Sequence, residues 1–135
     1  MRVAKQYQFE AGHHLPGYDG PCASPHGHSY RLEVEMTGQP KFEPGASDDQ
    51  MVMDFAELDE RVKPLVEALD HTDLNVSAHE ILGIARTTAE ALALGIGEYL
   101  AERIGNRDGV EITSPYLSRV RVWETEKAWA EWSQE

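Results

Sequence analysis

Polar and apolar positions alternate from the first residues. Val3, Lys5, Tyr7, Phe9, Ala11 and His13 share one parity, and Ala4, Gln6, Gln8, Glu10 and Gly12 share the other. A period of two marks a strand with one apolar face. Leu15-Pro16-Gly17-Tyr18-Asp19-Gly20-Pro21 breaks the pattern with turn residues and reads as a loop. From about His26 to Thr37, His28, Tyr30, Leu32, Val34 and Met36 alternate with Ser29, Arg31, Glu33 and Glu35. This predicts a second strand, half-buried and antiparallel. Prolines, glycines and acids from Gly38 to Gln50 predict an exposed connection, and Met51-Val52-Met53 a short extended piece.

The period then becomes helical. Asp54-Phe55-Ala56-Glu57 is a capping box, followed by Leu58, Val62, Leu65 and Leu69 at helical spacing, with Pro64 expected to kink the helix. Thr87-Thr88-Ala89-Glu90 is a second box. Leu92, Ile96, Tyr99 or Leu100, and Ile104 form its stripe, and Gly105-Asn106 its end. A strand is expected over Leu117 to Thr125 and a short last one over Ala128 to Trp132. The order strand, strand, helix, helix, strand, strand predicts an α+β fold: a four-stranded antiparallel sheet with two helices on one face. The opposite face is expected to carry apolar residues that this chain leaves uncovered, as a surface for another subunit.

Composition narrows the picture. The 135 residues suit one domain, residues 1–135. The content is 41% hydrophobic and 27% charged, which is globular rather than disordered. No apolar run approaches the roughly 18 residues of a membrane span, and Met1 to Gln6 lack a signal peptide's apolar stretch. Cys22 is the one cysteine, so a cytoplasmic, disulfide-free protein is expected. A net charge of −12 disfavours nonspecific nucleic-acid binding but not an anionic small molecule.

Four of the six histidines and the cysteine lie between positions 13 and 28. In a strand, His26 and His28 point to one side, so both imidazoles can reach one metal, with no side chain at Gly27 between them. A catalytic zinc site needs a third ligand. Parity favours His13 over His14, unless a bulge at Gly12 reverses the choice. Cys22, four residues before His26, is open to three readings: a fourth zinc ligand, a thiolate base or nucleophile, or an inert small hydrophobe. Asp70-His71 ends the first predicted helix. It reads either as a carboxylate orienting a proton-transfer imidazole or as a histidine favoured by the helix dipole. Glu124 is in phase with Val120 and Val122, so its carboxylate faces an apolar side and needs a partner. The N–H and amino group of a pterin or guanine fit its two oxygens; solvent, Arg119 or Arg121 are the alternatives. Trp123 and Trp129 read as packing residues.

Taken together, these residues resemble the 6-pyruvoyltetrahydropterin synthase and 6-carboxytetrahydropterin synthase family. The matching pieces are Phe9-Glu10-Ala11-Gly12-His13-His14-Leu15-Pro16, Cys22 with His26-Gly27-His28-Ser29-Tyr30, and Met53-Asp54-Phe55-Ala56-Glu57-Leu58. Leu69-Asp70-His71 with Leu74-Asn75, Thr88-Ala89-Glu90 and Glu124-Thr125 complete the match. The resemblance implies the tunnelling fold (T-fold) and zinc held by His13, His26 and His28. It implies Cys22 as catalytic thiol, Asp70 and His71 as its proton-transfer partners, and Glu124 as the pterin anchor. It further implies a homohexamer with active sites between subunits, a pterin triphosphate substrate, and no nucleic-acid or membrane partner. The three-residue gap between Cys22 and His26 resembles the carboxytetrahydropterin enzymes of queuosine and 7-deazapurine synthesis. The implied reaction converts 7,8-dihydroneopterin triphosphate to 6-carboxytetrahydropterin with release of acetaldehyde and triphosphate. The alternatives are the pyruvoyl product, formed without carbon–carbon cleavage, a non-catalytic pterin-binding homologue, and a structural zinc module with Cys22 as fourth ligand. Thr87 departs from the family pattern, standing where many relatives have proline.

Overall fold

The computed structural model describes residues 1–105 and 114–134. Asn106, named above in the helix end, lies outside the described residues. Strand β1 (Arg2–His13) and strand β2 (His26–Thr37) pair antiparallel along their whole length, from Arg2 opposite Thr37 to His13 opposite His26. Helix α1 (Phe55–Leu69), a two-residue strand β3 (Thr72–Asp73), helix α2 (Leu74–Leu82) and helix α3 (Ala89–Ile104) follow. Strands β4 (Tyr116–Trp123) and β5 (Trp129–Ser133) close the fold, and the sheet order is β3-β1-β2-β4-β5.

The α+β architecture of the sequence reading holds, with three differences. The sheet has a fifth strand, β3, which runs parallel to β1 at Ala11 and Gly12. A third helix, α2, occupies a stretch the sequence reading left without an element. Asp73 caps it by accepting from Asn75 N–H, and Gly83 ends it at φ 71, a left-handed conformation that favours glycine. Met51-Val52-Met53, expected as a short extended piece, bends at Val52 and Met53: Lys41 N–H donates to Met51 O at 2.9 Å, closing a loop from which Val52 turns inward. Helix α1 continues through Pro64.

One sheet face carries the core. Phe9, Tyr30, Leu32, Val34, Met36, Val120 and Val122 pack against Leu58, Val62, Leu65 and Leu69 of α1 and Leu92, Ile96 and Leu100 of α3. Each such side chain, fully buried, stabilises by roughly 1.5–3 kcal/mol. A β-bulge at Ser118 returns Leu117 to this face, because Glu35 pairs with Arg119 but Met36 pairs with Leu117. Helix α3 approaches β5 so closely that a Cβ at Gly97 would collide with the Trp132 ring.

The opposite face corrects an expectation, for it is polar rather than apolar. Arg119 donates to Glu33 at 2.6 Å and to Glu131 at 3.1 Å, and Arg121 donates to Glu131 at 2.8 Å. The Arg31 guanidinium lies 4.2 Å from the Trp123 ring centre and that of Arg121 3.9 Å from Trp129. Both tryptophans therefore stack under arginines on the side away from the core. The alternation in β1 and β2 dictates this, since one parity carries Gln, Glu, Ser and Arg.

Candidate metal centre

The pairing of β1 with β2 sets His13 directly across from His26, and His28 falls opposite Ala11 on the same face. Three imidazoles are thereby gathered at one end of the sheet. One ligand atom from each lies within 4.8 Å of the others, and ring centres are 4.6–5.1 Å apart. His14 points elsewhere and makes its contacts with Asn75 through its main chain.

The Nε2 atoms of His13, His26 and His28 are all buried and have no hydrogen-bond partner. Buried polar atoms left unpaired cost about 1–3 kcal/mol each, so three converging in one place ask for a common partner. Two of the rings are oriented from behind. His13 Nδ1 lies 2.9 Å from the carbonyl oxygen of Thr87, and His26 Nδ1 lies 2.7 Å from that of Ser24. A carbonyl only accepts, so each Nδ1 carries the proton and each Nε2 presents its lone pair to the cluster. Burial pushes the pKa of His13 and His28 down, against the opposing charge of Glu124, which favours the neutral, ligating form. Neutral imidazoles with inward lone pairs fit a divalent cation such as zinc.

Glu124 stands just beyond β4, its N–H donating to Ala128 O at 3.0 Å. Its carboxylate oxygens lie 3.9 Å from His13 Nε2 and 3.7 Å from His28 Nε2. Neither distance is a hydrogen bond, and the carboxylate faces the histidine cluster rather than Arg119 or Arg121. Cys22 sits on a short 3-10 turn (Pro21–Ala23), and its carbonyl accepts from Leu15 N–H at 2.8 Å, folding the loop back on itself. The thiol is half-buried and, among the described residues, is not a member of the histidine cluster.

Asp70 and His71 form a pair of their own. Asp70 Oδ2 lies 2.9 Å from His71 Nδ1, while Oδ1 accepts from Glu10 N–H at 2.8 Å. The hydrogen bond from the Glu10 backbone, then His71, hold the Asp70 carboxyl below its ordinary range. His71 adopts φ 57, its N–H donates to Glu10 O, and its ring is 78% exposed. It stands over an open groove lined by Glu10, Gly12, Gly27, Ser29 and His28, so His71 and one member of the histidine cluster border the same groove. Among the described residues, no hydrogen bond or ion pair joins Asp70 or His71 to Cys22. The chain thus gathers the three histidines and Glu124, and leaves the Asp70–His71 pair separate from the thiol.

Three neighbours of the cluster escaped the sequence reading. Tyr30 is fully buried, edge-on to His13 and His28, with its hydroxyl unpartnered. Burial, then the charges of Glu124 and Cys22, push that hydroxyl's pKa up. Its parity with His28 was the available signal. Thr87 and Asn75 carry no signal in local sequence, because their role comes from tertiary contact.

Comparison with known proteins agrees with this geometry. The family model of 6-pyruvoyl tetrahydropterin synthase matches residues 2–135. The chain is 40% identical over 123 residues to 6-carboxy-5,6,7,8-tetrahydropterin synthase of Synechocystis, covering 90% of this chain and 92% of the relative. It is 29% identical over 151 aligned positions to the protein of that name in Haemophilus influenzae, covering 99% of each. Its fold is that of Caenorhabditis elegans 6-pyruvoyl tetrahydropterin synthase, with a TM-score of 0.79 at 22% identity, over 100% of this chain and 96% of the other.

Proposed function

This chain belongs to the 6-pyruvoyl tetrahydropterin synthase family, and we propose that it is a zinc-dependent 6-carboxytetrahydropterin synthase. The reaction takes 7,8-dihydroneopterin triphosphate and water to 6-carboxytetrahydropterin, acetaldehyde and triphosphate. The observation that carries the reading is the convergence of three buried, unpartnered Nε2 atoms from His13, His26 and His28. Relatives covering at least nine-tenths of the chain bear the carboxytetrahydropterin synthase name.

His13, His26 and His28 hold the zinc, and when bound it supplies Lewis acidity toward the substrate's side-chain hydroxyls. Glu124 accepts two N–H donors of the pterin ring and so fixes the ring's orientation. The Cys22 thiolate removes a carbon-bound proton. Asp70 fixes the His71 tautomer through Nδ1, which leaves Nε2 to carry protons. We place Cys22 of one subunit with Asp70 and His71 of another, in a homohexamer whose active sites lie between subunits. Two features support this: among the described residues the thiol has no hydrogen bond or ion pair with Asp70 or His71, and β3 pairs with β1 only at Ala11 and Gly12. The substrate is a small molecule, with no nucleic-acid or membrane partner. The net charge of −12 is consistent with that, and no helix among the described residues is long and apolar enough to cross a membrane. Queuosine or 7-deazapurine synthesis in the cytoplasm is the proposed setting.

The second reading is formation of the pyruvoyl product, which the family's own description keeps open. Incubation of zinc-loaded protein with dihydroneopterin triphosphate, read by mass spectrometry with an acetaldehyde trap, separates the two. Acetaldehyde with carboxytetrahydropterin is the expected result. A pyruvoyl product without acetaldehyde selects the second reading, and no product contradicts both.

A further inference from the structure

We propose that Thr87, backed by Asn75, is a positioning residue that locks His13 in its metal-ligating tautomer and sets the affinity of the centre for its metal. Thr87 is 1% exposed and immediately precedes Thr88, the N-cap of α3. It presents two oxygens to the same nitrogen: His13 Nδ1 lies 2.9 Å from its carbonyl and 3.0 Å from its Oγ1. One N–H shared between two acceptors excludes the tautomer in which Nδ1 carries the lone pair. Nε2 then has no proton and is committed to the cluster.

Asn75 extends the arrangement. Its Oδ1 accepts His14 N–H at 3.0 Å and its Nδ2 donates to His14 O at 3.0 Å, fixing both main-chain groups of the residue after His13. The Thr87 hydroxyl can donate only weakly to Asn75 Oδ1, 3.5 Å away, which keeps its lone pairs available to His13. The end of β1, the start of α2 and the approach to α3 are thereby tied at one ring. His26 has a single carbonyl behind it, and His28 has no ring hydrogen bond among the described residues. His13 is therefore the most constrained of the three.

The sequence explains why this role went unseen. The run Thr87-Thr88-Ala89-Glu90 predicts Thr87 as the N-cap. The structure moves the cap to Thr88, whose Oγ1 accepts Ala91 N–H at 3.1 Å. Thr87 Oγ1 is not used by the helix because it is used by His13.

The inference rests on the metal reading, so two measurements are paired. The first is nitrogen NMR of the His13 ring in zinc-free protein, where the Nδ1–H tautomer is expected and an Nε2–H tautomer overturns the proposal. The second is zinc affinity by chelator competition for the parent, Thr87→Val, Thr87→Ser and Asn75→Ala. Loss of an outer partner of a ligating histidine weakens metal binding by about 10–100-fold. Thr87→Val keeps the carbonyl and is expected near the lower figure, with Thr87→Ser restoring parental affinity. Parental affinity in Thr87→Val and Asn75→Ala, with the parent itself binding zinc, overturns the proposal. A parent that takes up no zinc overturns the metal reading first, and the claim about affinity with it. Should Thr87→Val fail to fold, the tautomer measurement on the parent still decides.

Discussion

At the level of single residues, the unpaired atoms carry most of the meaning. The three histidine Nε2 atoms and the Tyr30 hydroxyl are buried together without partners, and among the described residues the one other buried side-chain atom so left is Arg31 Nε. The three histidines are arranged to share a cation, as proposed above. The Tyr30 hydroxyl does not ligate in that scheme, so in metal-free protein it is an uncompensated cost of about 1–3 kcal/mol. Tyr30→Phe keeps the ring that stacks on Phe9 at 5.0 Å and removes only the oxygen. Zinc-free Tyr30→Phe is expected to be about 1 kcal/mol more stable than the parent in urea denaturation. A loss of stability would mean that the hydroxyl has a partner in solution. Parity in β1 and β2 made His13, His26 and His28 legible from sequence, and it separated His13 from His14. The same parity pointed to Tyr30, but a tyrosine among Leu, Val and Met reads as core. Thr87 and Asn75 were invisible because their partners are 74 and 61 residues away.

At the level of elements, strands and long helices follow from periodicity, and what departs from it has a local cause. Helix α2 is only nine residues and includes Asn75, Val76 and Ser77, which are weak helix formers. It exists because Leu74 and Ala78 find the core and Asp73 and Gly83 cap it. Strand β3 is two residues long and is defined by pairing alone. The polar face of the sheet makes an electrostatic prediction. Burial alone would raise the carboxyl pKa of Glu33, but hydrogen bonds from Gln6 and Arg119, with the charges of Arg119 and Arg121, hold it below the ordinary 4.5. Glu131 is held down in the same way by both arginines, against its own burial. A carboxylate with a lowered folded pKa contributes stability above its unfolded pKa, and that contribution is lost as pH falls through the folded value. Stability is therefore expected to decline below about pH 4.5. In a urea series across that range, Glu33→Gln should decline less steeply than the parent. Equal slopes would show that the ladder is electrostatically idle.

At the level of the whole molecule, His71 of the Asp70–His71 pair shares a groove with His28, but among the described residues the pair has no hydrogen bond or ion pair with Cys22. The histidine cluster and Glu124 lie on the core side of the sheet, and His71 stands over a groove that His28 also lines. If the site is assembled between subunits, Cys22→Ala and His71→Ala chains should each be inactive alone. Co-expressed, random assembly into hexamers leaves about one quarter of sites with both groups intact. Recovery of that order is the expected outcome, and no recovery would place the whole site in one chain. The expectation that the uncovered face is apolar failed for a physical reason: parity assigns Gln, Glu and Arg to it.

His13, His26 and His28 are proposed as a three-nitrogen zinc centre. X-ray absorption at the zinc edge on purified protein, with metal content measured alongside, tests it most directly. Zinc ligated by imidazole nitrogen with no sulfur, and lost in His26→Ala, is the expected result. Sulfur in the coordination shell would make Cys22 a ligand rather than a base, and zinc content unchanged by His26→Ala would contradict the ligand set.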